Sequence, residues 1–128
     1  TASLTNQLAN ERYYFDQGNE DEWRKTVKSI AGTLRDTWEI AVEEVVGHVI
    51  RRLSNEVKTP GLVKLTAITV ADCEAMRDGF GRCSELMHSA AAALNRPLPR
   101  PDVLSAEISA LAAWADSLRQ RQGAARLP

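Results

Sequence analysis

The chain has only two cysteines, Cys73 and Cys83, and only 5% aromatic residues in 128. Two thiols rule out a disulfide-stapled miniature fold. They lie ten residues apart in one predicted helix, about 15 Å along its axis, and a disulfide needs Cα atoms within about 7 Å. Free thiols and the lack of a basic, apolar leader at Thr1–Thr5 point to the cytoplasm. No run approaches the roughly 20 apolar residues of a membrane-spanning helix, so no membrane partner is expected. Neither charge sign dominates: 16 Lys+Arg face 17 Asp+Glu, for a net charge of -1. That excludes the strongly basic footprint of a dedicated nucleic-acid-binding domain. With few aromatics and 44% hydrophobic residues, the core must be largely aliphatic. The length fits one domain.

What is present is helical periodicity, and no segment is convincing as a strand. A loose first helix runs over 2–16 and ends at Gly18-Asn19. An acidic opening, Glu20-Asp21-Glu22, suits the positive end of a second helix. Its apolar stripe steps by three or four through Trp23, Val27, Ile30, Leu34, Trp38, Val42, Val45, Val49, Leu53 and Val57. Continuous, that helix would exceed roughly 50 Å. Gly32 and Gly47 are places where it could bend, and Pro60-Gly61 stops it. The apolar stretch 62–68 suits a short extended piece. Thr69 and Asp72 then form a capping-box pattern.

From there Cys73, Met76, Phe80, Cys83, Met87, Ala90 and Leu94 alternate three and four, a heptad seam that Asn95 closes. Prolines 97, 99 and 101 stiffen the next linker. A last helix from Pro101-Asp102 carries Leu104, Ile108, Leu111, Ala115 and Leu118, with Trp114 beside the stripe. The expected fold is all-α: a bundle of about four helices with one long central helix and a heptad-patterned hairpin. We expect one helical domain over 1–122 and a frayed tail over 123–128.

Motifs for chemistry are sparse. There is no G-x-x-x-x-G-K-[ST] phosphate loop, and Gly79-Phe80-Gly81 lies inside a predicted helix, where close packing is the expected reason for glycine. Cys73, Cys83, His48 and His88 lack the paired spacing of a zinc site, so no metal and no cofactor is expected, and both thiols read as buried seam residues. Trp23 and Trp38 read as core, and Glu39, Glu43 and Glu44 as an acidic solvent face. Arg82, Glu85 and His88 recur at three-residue spacing. Such triplets are common on exposed helix faces, and a solvated face is the expected reading; the alternative is that a His oriented by a carboxylate beside an Arg cleaves a phosphodiester. Residues 1–50 hold 5 Lys+Arg against 9 Asp+Glu, and 51–128 hold 11 against 8. The basic positions Arg51, Arg52, Lys58, Lys64, Arg77 and Arg82 read first as ordinary solvated charge and, in the alternative, as candidate contacts for nucleic acid or an acidic partner.

One segment carries a resemblance. Leu34-Arg35-Asp36-Thr37-Trp38-Glu39-Ile40-Ala41-Val42-Glu43-Glu44-Val45 is similar to an LR-[DE]-TWE-x-AVEEV pattern in the C-terminal region of large bacterial AAA/SMC-like (RecF- and ABC-ATPase-related) ATPases. Gly79-Phe80-Gly81-Arg82-Cys83-Ser84, then His88, then Pro99-Arg100-Pro101-Asp102 and a basic-ended last helix follow in a similar order. The likeness spans roughly 12–122. It implies no ATP-binding residue here, since the ATP site of that group lies upstream of this region. It does imply the C-terminal helical part of such a protein, or a stand-alone relative, in DNA transactions or phage defence. The absence of an initiator Met fits a domain of something larger.

The expected function is a non-catalytic helical interaction or oligomerisation module whose partner is another protein, its own copy or the ATPase body. The alternatives are a small nuclease using Arg82, Glu85 and His88, or a nucleic-acid-binding bundle using the basic second half.

Overall fold

A computed structural model describes residues 1–44, 62–91 and 96–126. Within them the protein is an all-α four-helix bundle, without strands: α1 (Ala2–Asp16), α2 (Glu20–Val42), a 3-10 turn (Val63–Ala67), α3 (Val70–Ser89) and α4 (Pro101–Ala124). Among the described residues no helix is long and apolar enough to cross a membrane.

The α1–α2 connection shows how local chemistry sets the geometry. Gly18 takes a left-handed φ of 71°, which a side chain would resist. This lets the Gly18 and Asn19 amides donate back to the Phe15 and Tyr14 carbonyls at 3.0 and 2.9 Å. Asn19 then caps α2 by accepting from the Glu22 amide, and the three acidic residues of the first turn face the positive helix end. The two helices run antiparallel, with Gln7 donating to Ser29 at 3.0 Å and Phe15 packed on Trp23.

The stripe on α2 is the spine of the core. Trp23, Val27, Ile30, Leu34 and Trp38 are all essentially buried. The helix is regular to Val42; the expected continuation through Val45, Val49, Leu53 and Val57 lies outside the described residues. Glu39, Glu43 and Glu44 are exposed, as a solvent face requires. On α4, Leu104, Ile108 and Leu111 meet the spine, completed by Leu4 and Leu8 of α1, while Leu118 is buried further along the helix. Trp23 Nε1 donates to the Pro99 carbonyl at 2.9 Å, and Trp38 stacks on Trp114 with centroids 5.1 Å apart, so α4 runs parallel to α2. α3 is antiparallel to both.

Several boundaries differ from expectation. The stretch expected as a short extended piece is helical up to its last residue: Val63–Ala67 closes as a 3-10 turn in which Thr66 bonds the Val63 carbonyl at 2.6 Å, and only Ile68 is extended. α3 spans Val70–Ser89, where the Ala91 amide turns back to the His88 carbonyl; the expected seam position Leu94 and its close at Asn95 lie outside the described residues. α4 continues past Gln122 through Gly123 to Ala124, the first two residues of the expected tail, with the Ala125 amide bonded to the Arg121 and Gln122 carbonyls.

The heptad seam is also rotated. Met76, Cys83, Met87 and Ala90 face inward to varying degrees, but Cys73 is exposed and Phe80 stands at 36%. Their places are taken by Asp72 and Gly79, both buried. Gly79 faces the Trp38 indole, whose bulk fills the space a side chain would need. A ring of that size admits a glycine and turns its neighbour Phe80 aside.

Candidate functional site

The capping box at the start of α3 forms as its sequence suggests: Asp72 accepts from the Thr69 amide at 2.7 Å, and the Asp72 amide donates to Thr69 Oγ1 at 3.2 Å. The same carboxylate does more. Trp114 Nε1 donates to Oδ1 at 3.0 Å, and both Nη atoms of Arg121 bond it, one to Oδ2 at 2.7 Å. That Nη1 also holds the Ala67 carbonyl at 2.6 Å, joining α4 to the 3-10 turn. Asp72 is only 3% exposed. The Arg121 guanidinium first, helped by Thr69 and Trp114 and opposed by burial, holds its carboxyl far below the usual carboxylate range. With its lone pairs occupied by donors, Asp72 is a structural anchor rather than a base awaiting a proton.

A second ion pair lies nearer the middle of α3. Arg82 Nε donates to Glu107 Oε1 at 2.7 Å, while Glu107 Oε2 is buried without a partner among the described residues. Glu107 sits between Leu104 and Leu111 on the inward stripe of α4, which explains its burial. It borders Cys83, whose thiol is pushed up to about 11, mainly by burial and further by Glu107.

This pair forms one wall of an open groove of about 810 Å³ between α3 and α4. The groove is lined by Arg77, Asp78, Gly81, Arg82, Glu85, Leu86, Ser89, Val103 and Glu107. Both signs of charge line it. A phosphate drawn to Arg77 and Arg82 would meet Asp78, Glu85 and Glu107, whereas a protein surface of mixed charge meets complementary groups.

The outward face of α3 adjoins this groove. Val70, Glu74, Arg77, Gly81, Glu85 and His88 follow one another at steps of three or four and are all exposed. Gly81 is a mid-helix glycine without an internal reason: a Cβ there would meet nothing within 4 Å. Its neighbour Gly79 has one in Trp38, so close packing accounts for one glycine and not the other.

The residues singled out by spacing are dispersed among other partners. Arg82 bonds Glu107 on α4; Glu85 stands 3.9 Å from Arg96; His88 is exposed. Of the basic candidates, Arg51, Arg52 and Lys58 lie outside the described residues. Lys64 is exposed on the 3-10 turn, Arg77 pairs with its neighbour Asp78 at 2.9 Å, and Arg82 lines the groove. Among the described residues no cluster of three His, Cys, Asp or Glu could hold a metal.

Sequence reasoning missed Glu107 and Arg121, and its expectation of close packing at Gly79 and Gly81 holds for Gly79 alone. A charged residue within an apolar stripe was a visible signal for Glu107. Arg121 had none, because its partner is distant in sequence. No family model, curated protein or solved structure matches the chain.

Proposed function

We propose that this chain is a non-catalytic helical interaction module that docks a second protein surface, its own copy or the body of an ATPase. The observation that carries the reading is the surface around α3. An open groove of alternating charge lies beside a fully exposed helix face, with Val70 74%, Phe80 36% and Val103 40% exposed on α3 and the adjoining edge of α4. Apolar side chains set among charges of both signs suit a protein interface better than a polyanion, which needs one sign. The tie to an SMC-like ATPase, and with it a place in DNA transactions or phage defence, is supported by the sequence resemblance.

The test is sedimentation of the purified chain over the micromolar range, alone and mixed with an ATPase body of the RecF-related group. Association in either arm supports the reading. A monomer in both overturns it. Binding to duplex DNA that weakens steeply with salt would replace it with the nucleic-acid reading, and cleavage lost in His88→Ala would replace it with the nuclease.

A further inference from the structure

We infer that the outward face of α3 is a contact between two copies of this chain, packed antiparallel across a two-fold axis at Gly81. This rests on the interaction-module reading and gives it an occupant and a register. A two-fold interface brings one surface against itself, so its charges must be opposite at equal distances from the axis. The face of α3 meets that condition about Gly81 with one pair of opposite charges, and a second pair sets a carboxylate opposite an imidazole, which can donate a hydrogen bond to it without being charged. Arg77 lies four residues before it and Glu85 four after; Glu74 lies seven before and His88 seven after. At 1.5 Å per residue these are about 6 Å and about 10 Å on either side of the crossing point. Antiparallel pairing therefore sets Arg77 of one copy against Glu85 of the other, and Glu74 against His88, each pair occurring twice.

The glycine supports the same axis. Helices usually pack with axes 8–10 Å apart, the distance being set by the side chains at the crossing. A glycine there lets them approach closely, and Gly81 is exposed, with open space around it and nothing inside the subunit that requires it. A mid-helix glycine is less favourable than alanine, a loss that a crossing point would offset. Both charged residues are exposed, 74% for the Arg77 side chain and 75% for Glu85. Glu85 stands 3.9 Å from its present partner Arg96, a distance that leaves it free to exchange. Arg77 donates through Nε to its neighbour Asp78 at 2.9 Å, an exposed pair of small worth that leaves the Nη atoms for a carboxylate across the axis. A heterologous partner would need complementarity to these charges but not their symmetry, and the symmetry favours a second copy.

The decisive experiment is sedimentation equilibrium of four proteins: wild type, Arg77→Glu, Glu85→Arg and the double variant, with a one-to-one mixture of the two single variants. All changes are at exposed positions, and circular dichroism checks the helices. Wild type is expected to dimerise, and each single reversal, placing like charges together twice, to raise the dimer Kd about tenfold or more. The double variant should dimerise again. The mixture should form heterodimers, because the Arg77→Glu chain is acidic at both positions and the Glu85→Arg chain basic at both, so each pair is again of opposite sign. Gly81→Cys in a Cys73→Ser background should oxidise to a covalent dimer.

A monomeric wild type overturns the two-fold contact, and if that monomer still binds the ATPase body the broader reading stands. Dimers indifferent to both reversals, or a mixture that fails to associate, overturn the contact while leaving self-association through another surface.

Discussion

Gly79 and Trp38 occupy one volume between α2 and α3: the indole, 1% exposed, fills the place where a side chain on residue 79 would project. Two positions on, Gly81 opens onto empty space. One helix thus holds two glycines with opposite energetics.

Gly79→Ala gains about 1 kcal/mol of helix propensity but forces a buried indole to move, at a cost of about 1–3 kcal/mol or more. The net expectation is destabilisation by roughly 1–2 kcal/mol. Gly81→Ala has no clash to offset and should stabilise the isolated subunit by about 1 kcal/mol. Urea unfolding at concentrations where the chain is monomeric checks both; equal effects of the two substitutions would refute the contrast.

Asp72 makes stability depend on acid. Its pKa is lowered in the folded state, so its contribution is fully present above the unfolded value of about 4 and is lost as pH falls below it toward the depressed folded value. Unfolding free energy should therefore drop steeply on acidification below about pH 4. Asp72→Asn should cost about 3 kcal/mol at neutral pH, because a buried ion pair is broken, and should flatten that acid limb. Denaturant unfolding at a series of pH values reads both, and an unchanged acid slope in the variant would remove Asp72 from the account.

Glu107 tests the middle of the α3–α4 contact. Arg82→Ala leaves its buried carboxylate without a cation and should cost about 1–2 kcal/mol, less than for a fully enclosed pair because water reaches Arg82. Adding Glu107→Met should restore most of the loss, since the remaining charge is then removed as well. A double-mutant cycle by urea unfolding measures this; additive losses would show that the two residues act independently.

The two thiols should react differently. Cys73 is exposed, whereas Cys83 is buried and its thiol raised to about 11, mainly by burial. A chromogenic disulfide reagent near pH 8 should titrate one thiol in the folded protein and both in denaturant. Two fast-reacting thiols in the folded state would contradict the burial of Cys83.

These contrasts mark how far the sequence could be read. Period and capping residues announced the helices: the α2 stripe from Trp23 to Trp38, the Thr69–Asp72 box and the Pro101 start all stand where spacing places them. The rotation of α3 was not legible, because a heptad count ranks Cys73 and Phe80 as inward. It has no means of knowing that an indole on another helix would claim position 79. The Arg121–Asp72 bond was equally hidden, since a capping carboxylate looks complete with its local partners. The candidate surface was partly visible: Arg82, Glu85 and His88 drew attention by spacing and Arg77 by its charge, but their separate partners and the open space at Gly81 needed three dimensions.

The separation between Asp72 and Arg121 also orders events in time. On a growing chain, the carboxylate can cap α3 as soon as the first turn of that helix has been made, but its cation follows forty-nine residues later. Until then α2 and α3 can pair through Trp38 and Gly79, while the Ala67 carbonyl and the Asp72 charge wait for the end of α4. The clamp therefore joins two ends of the chain's second half: a nascent chain interrupted before Arg121 has the Thr69–Asp72 cap within its reach but lacks the bond that fastens α4 to it.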